Sequence, residues 1–201
     1  MKDMGMFWWV FALRGGFALL FAGILYGSGN LLGTIFFDPV MLVFLSLLLG
    51  SYVLGNGLLL GVAGGFAIEH HLRHLRLWWL LLGECGFAVL LAGYIGFSLL
   101  ITAQSLALLA GLHALGTGCF QGALALKLPH DRPYVLLLSA SGVISLFVGI
   151  VFLMHHDEAL RTITQWLSGF ELFYGVVVIT FARGLHKHGS ANIPQPARVS
   201  P

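Results

Sequence analysis

The chain has 201 residues, of which 58% are hydrophobic and 9% charged, and its formal net charge is +2. A soluble domain carries about a quarter charged residues, so this composition cannot cover a water-exposed surface and excludes a soluble globule. No Asp, Glu, Lys or Arg falls between Gly15 and Phe37, between Pro39 and Ile68, or between Cys85 and Leu126.

A membrane-crossing helix needs about 20 apolar residues. Six such segments are predicted, near 7–27, 40–66, 77–98, 104–126, 134–154 and 162–183. They must be helices, because backbone amides in lipid need partners within their own segment. Porin-type strands would alternate polar and apolar residues, and no such alternation is present. The fold class is therefore all-α and polytopic, with one membrane domain over 1–185 and a polar, proline-containing tail over 186–201 expected to be disordered on the cytoplasmic side.

The first segment carries Arg14 and then "GFALLFAG", from Gly16 to Gly23. Its length, and the return of this octet deeper in the chain, argue against a cleaved signal peptide. The second holds "GSYVLGNG" at 50–57 and leads into the basic loop "EHHLRHLR", which sets orientation and attracts anionic lipid. The third repeats the octet as "GFAVLLAG", from Gly86 to Gly93, with Glu84 two places before it as Arg14 is in the first copy. The polar run Thr102–Ser105 separates it from the fourth, which holds "GLHALGTG" at 111–118. The fifth contains "SGVISLFVG" at 141–149, and "HHDE", His155, His156, Asp157 and Glu158, follows it as a polar loop. The sixth carries "SGFELFYG" at 168–175, with Glu171 near the bilayer middle.

These segments form three repeats, about 7–66, 77–126 and 134–183, and thus three tandem helical hairpins inserted in the same sense. Copies related in this way can pack around a pseudo-threefold axis along the membrane normal, unlike inverted repeats. Gly16, Gly86 and Gly142 align, as do Gly23, Gly93 and Gly149; on the partner segments Gly50 aligns with Gly111, and Gly57 with Gly118 and Gly175. Seven residues are almost two helical turns, so each pair shares a face, and close packing in lipid relies on small residues. All eleven are expected at helix interfaces.

Lys2, Arg73, Arg76, Lys127, Arg132, Arg183, Lys187 and Arg198 fall on one side of this topology. The positive-inside rule makes that side, with both termini, cytoplasmic. The net charge arises from this asymmetry and gives no reason to expect nucleic-acid binding. The expected partner is the lipid bilayer; a homo-oligomer or an unidentified membrane partner stays open.

The run "LRGGFALLFAG" with "GSYVLGNG", then "GECGFAVLLAG" with "LHALGTGCFQGALALKL", then "SGVISLFVG" with "FYGVVVITFARGL", resembles the HdeD-like acid-resistance membrane proteins over about residues 8–185. The resemblance implies six spans in a bacterial inner membrane and a role in surviving acid, and it supplies no catalytic residue or substrate. The chain departs from that pattern in the longer connection "YGSGNLLGTIFFDPV", in having only Pro39 of the prolines expected after the first helix of each repeat, and in Gln121, where many members have Glu.

Three charges lie within the segments, and such residues are functional candidates. Arg14 and Glu84 stand at equivalent places, about seven residues or roughly 10 Å from the cytoplasmic end, with Ala140 expected there in the third copy. Around a common axis they would meet and neutralise each other, although Arg14 could instead snorkel to the headgroups. Glu171 is either a proton-titrating group in a polar cavity or an acid hydrogen-bonded to a neighbouring helix. The "HHDE" loop could sense external acid or serve as a solvated turn; adjacent residues give poor tetrahedral geometry for a metal. His113 aligns with Tyr52 and Phe170 and reads as a packed ring, and Cys85 and Cys119 read as small apolar residues. No phosphate loop, zinc motif, hydrolase elbow or cofactor motif is visible. The expected function is non-enzymatic, in acid or envelope stress tolerance; the alternative is a small transporter or proton-coupled conduit using Arg14, Glu84 and Glu171.

Overall fold

The computed structural model describes residues 8–29, 38–69, 78–98, 102–127 and 133–190. The positions Lys2, Arg73, Arg76, Arg132, Arg198, His70, His71 and His74, used above for orientation and loop character, lie outside the described residues. The six predicted segments are six helices: α1 (Trp8–Gly29), α2 (Asp38–Glu69), α3 (Trp78–Phe97), α4 (Ala103–Lys127), α5 (Pro133–Met154) and α6 (Leu160–Ser190). Each is long and apolar enough to cross a membrane.

Local chemistry sets the helix starts. Pro39 and Pro133 stand in the first turns of α2 and α5, where the missing N–H costs nothing. Thr102 caps α4: its Oγ1 accepts from the Ser105 backbone N–H at 3.1 Å, and Ser105 Oγ accepts from the Thr102 N–H at 2.7 Å. This reciprocal cap satisfies two donors that helix geometry leaves free. It also explains why the polar run here breaks one long apolar stretch into two spans. At the other end of the chain, α6 continues through residues 186–190, which the sequence placed in a disordered tail. The His186 ring lies 4.5 Å from that of Trp8, which fastens this last part of α6 to the start of α1. Residues 191–201 lie outside the described residues.

The helices pack as three intimate pairs, α1 with α6, α2 with α3, and α4 with α5, and each pair makes looser contact with the next. Neighbouring spans alternate in direction, so each pair is antiparallel: α2–α3 and α4–α5 are hairpins, and α6 packed on α1 closes the ring. Helix α4 also touches α2 and α6, which places the even-numbered helices toward the common axis. The tight pairs therefore straddle the sequence repeats: each repeat lends one helix to each of two pairs.

Glycine explains the tightness. A Cβ on Gly118 would lie 2.8 Å from the Gly142 carbonyl oxygen, one on Gly149 would lie 2.9 Å from that of Gly111, and one on Gly175 would lie 2.9 Å from that of Gly15. On the α2–α3 seam a Cβ on Gly57 would lie 2.5 Å from that of Ala88, and one on Gly50 would lie 3.2 Å from Ile95. The backbones approach so closely that only hydrogen fits, as expected where van der Waals contact drives association.

Four of the eleven expected interface glycines are not in the seams. No described atom comes within 4 Å of a Cβ built on Gly16, Gly23, Gly86 or Gly93. The heptad spacing does place each pair on one face, but that face is one helical step from the buried one. On α1 the seam glycine is Gly15; on α3 its place is taken by Cys85 and Ala88.

Burial also shifts the third repeat by one residue. The buried series Arg14, Ala18, Ala22 and Leu25 on α1 matches Glu84, Ala88, Ala92 and Ile95 on α3, and then Ser141, Ser145, Gly149 and Phe152 on α5. Ser141, not Ala140, is thus the third counterpart of Arg14 and Glu84. Matching glycine to glycine misplaced it, because inward-facing side chains and not glycines define the equivalent faces.

Candidate functional site

Every helix sends at least one polar side chain into the middle of the bundle. The odd helices supply Arg14, Glu84 and Ser141 from their equivalent positions, all buried. The even helices supply Tyr52 and Asn56 from α2, His113, Thr117 and Gln121 from α4, and Ser168, Glu171 and Tyr174 from α6.

Arg14 and Glu84 meet as an ion pair between Nη2 and Oε1, with Arg14 only 3% exposed. The guanidinium points inward and does not snorkel. It sits 5.6 Å from the centre of the Tyr174 ring, within cation–π range. The Tyr174 hydroxyl accepts from Gln121 Nε2 at 2.8 Å, and Gln121 Oε1 accepts from Ser141 Oγ at 3.0 Å. Gln121 thereby ties α4 to both α5 and α6. As an amide it donates to one neighbour and accepts from the other, which a carboxylate at that position could not do.

Glu171, 1% exposed, is held by the Tyr52 hydroxyl, which donates to Oε2. The Tyr52 ring is fixed in turn: it stacks on Phe21 at 4.2 Å with the planes 1° apart, and meets His113 edge to face at 5.8 Å. His113 is thus packed against a ring, as its alignment with Tyr52 suggested. Ser168 Oγ donates to the Ala22 carbonyl at 2.9 Å, a further bond from α6 to α1. One guanidinium and two carboxyls therefore share the centre of the bundle.

The α5–α6 loop is a different kind of place. His155 and His156 lie at the end of α5, and their Nδ1 atoms reach the carbonyls of Val151 at 3.2 Å and Leu153 at 3.0 Å. The Val151 carbonyl also accepts from the His155 backbone N–H at 3.0 Å, and the His155 ring lies edge to face with Trp166 at 6.0 Å. Asp157 and Glu158 are exposed. Among the described residues no group of three or more His, Cys, Asp or Glu side chains could hold a metal ion. Cys85 and Cys119 are free thiols.

Sequence reasoning brought Arg14 and Glu84 together and singled out Glu171, but it missed Asn56, Thr117, Ser141 and Tyr174 as members of the same centre. A usable signal was present on α4, where His113, Thr117 and Gln121 recur at every fourth residue and so form one polar stripe. No family model matches the chain, and no curated protein or solved structure matches it either.

Proposed function

We propose that this is a non-enzymatic integral membrane protein of a bacterial inner membrane that supports acid or envelope stress tolerance, and that its buried polar centre is the part that responds to protons. The observation that carries this reading is the Arg14–Glu84 ion pair, with a second carboxyl, Glu171, buried in the same bundle and held by Tyr52. Intramembrane charges are costly and mark functional positions. Protonating Glu84 removes the counter-charge of Arg14, and a buried charge without a partner is strongly destabilising. Proton activity is thereby linked to the contact that joins α1 to α3. The titratable groups facing this pair are Tyr52 on α2, His113 on α4, and Glu171 and Tyr174 on α6; the polar Ser141 of α5 bonds Gln121 instead. Acid tolerance itself is suggested by the resemblance in the repeats.

The test is survival of a strain lacking the gene after exposure to low pH, with the parent chain, Glu84→Gln, Arg14→Gln and Glu171→Gln returned in turn. Membrane accumulation of each variant is measured alongside. The parent chain should restore survival, and variants that accumulate normally should restore it poorly. A deletion strain as acid-tolerant as its parent removes the acid reading, and full rescue by all three variants removes the polar centre from the function.

A second reading, a proton-coupled conduit, is favoured by the small polar cavity beside the ion pair. Its ~10 Å³ open to the centre of a water molecule is water-sized, and the species proposed to move is the proton. Purified protein in vesicles holding a pH-sensitive dye decides it: proton flux abolished by Glu171→Gln supports conduction, and no flux above that of empty vesicles rejects it.

A further inference from the structure

Buried polar atoms in native proteins are nearly always hydrogen-bonded, to protein or to ordered water. Around the ion pair, four atoms have no protein partner among the described residues: Arg14 Nε, both ends of the Asn56 amide, and His113 Nδ1. Their residues are 3%, 2% and 6% exposed. They come from three different helices, yet all three residues line one cavity, together with Glu84 and Thr117.

We propose that this cavity is a binding site for one water molecule, which gives each of the four atoms a hydrogen-bond partner. Valence supports the assignment. Arg14 Nε–H and Asn56 Nδ2–H are donors, while Asn56 Oδ1 accepts, and so does His113 Nδ1 in the tautomer that carries its proton on Nε2. Two donors and two acceptors match the two lone pairs and two hydrogens of one water. Size supports it too. A water needs about 10–15 Å³ of space for its centre, and the cavity offers about 10 Å³. It therefore admits one water, with no room for a second or for a hydrated ion. Apolar cavities of this kind stay dry, whereas one lined by several convergent polar groups does not.

The site goes beyond the proposed function and holds whatever the protein does for the cell. It gives Arg14 a second polar contact besides Glu84, and it joins α1, α2 and α4 near the common axis through a single molecule. The ion pair is then hydrated from within, although bulk water is excluded.

The experiment is infrared spectroscopy of the purified protein in lipid, exchanged between ordinary water and water enriched in oxygen-18. An internal water with fixed partners gives a narrow O–H stretching band that shifts on exchange. The parent should show such a band, and Asn56→Leu, which keeps the branched shape but removes the amide donor and acceptor, should lose it. Leu126→Ala, on an exposed face, should keep it. No isotope-sensitive band in the parent, or the same band persisting in Asn56→Leu, overturns the proposal. Should Asn56→Leu fail to fold, an experimental structure that resolves ordered water answers the question directly: density within hydrogen-bonding reach of Asn56 and His113 upholds the site, and its absence there overturns it.

Discussion

Removing either member of the Arg14–Glu84 pair leaves the other buried without a counter-charge. In soluble proteins such a loss costs about 3–5 kcal/mol. Glu84→Gln and Arg14→Gln should each lower thermal stability in detergent by a clearly measurable margin. The double replacement should recover much of the loss, as should the exchange of Arg14→Glu with Glu84→Arg. Strictly additive losses would show that the two side chains do not interact, because residues in contact couple and distant ones do not. At this scale the pair was legible because a charge in an apolar window is conspicuous, and because both copies of one octet carry a charge at the same offset. Tyr52, Asn56 and Tyr174 were not legible. An isolated phenol or amide inside a span reads equally well as an interfacial anchor or as packing, and only tertiary geometry shows which atoms it meets.

At the scale of the helix, the repeated glycines divide into two kinds. Gly15, Gly118, Gly142, Gly149 and Gly175 lie where a neighbouring backbone passes within about 3 Å of a would-be Cβ, whereas Gly16, Gly23, Gly86 and Gly93 face open space. Gly118→Leu or Gly175→Leu should therefore force a tight pair apart. Overpacking costs about 1–3 kcal/mol in ordinary cores, and more is expected where the obstacle is backbone that cannot move aside. Gly86→Leu should change thermal stability little in the same melting measurement; equal losses at Gly86 and Gly118 would contradict the seam. Six helices were legible in the sequence because hydropathy and length suffice for spans. The faces were not, because glycine spacing shows that two residues share a side without showing which side is inward. Burial of Arg14, Glu84 and Ser141 gives that direction, and with it the one-residue shift of the third repeat.

For the whole molecule, six spans with the basic residues on one side lead us to propose, on the positive-inside rule, that both termini and the α2–α3 loop are cytoplasmic. Reporter fusions after Asp38, Arg73, Gln104 and Arg132 should report outside, inside, outside, inside in turn. Any other alternation contradicts the assignment. Threefold order was legible from the tandem repeats, since three copies inserted in one sense have few other ways to pack. The partnering of helices across repeat boundaries was not. Adjacent spans are equally close in sequence whether or not they belong to one repeat, and only interlocking surfaces choose between them.

That partnering fixes an order of events in time. Helix α1 leaves the ribosome before the other five, yet its intimate partner α6 is made after all of them. Until then the backbone around Gly15 has no Gly175 to rest against. Its guanidinium has no carboxylate until α3 arrives, two helices after its own. The α2–α3 and α4–α5 hairpins can each form as soon as their second helix is in the bilayer, but the ring closes only once α6 has joined them. A nascent chain halted before α6 thus holds two finished pairs and one helix still waiting, with α1 exposed to whatever else the membrane contains.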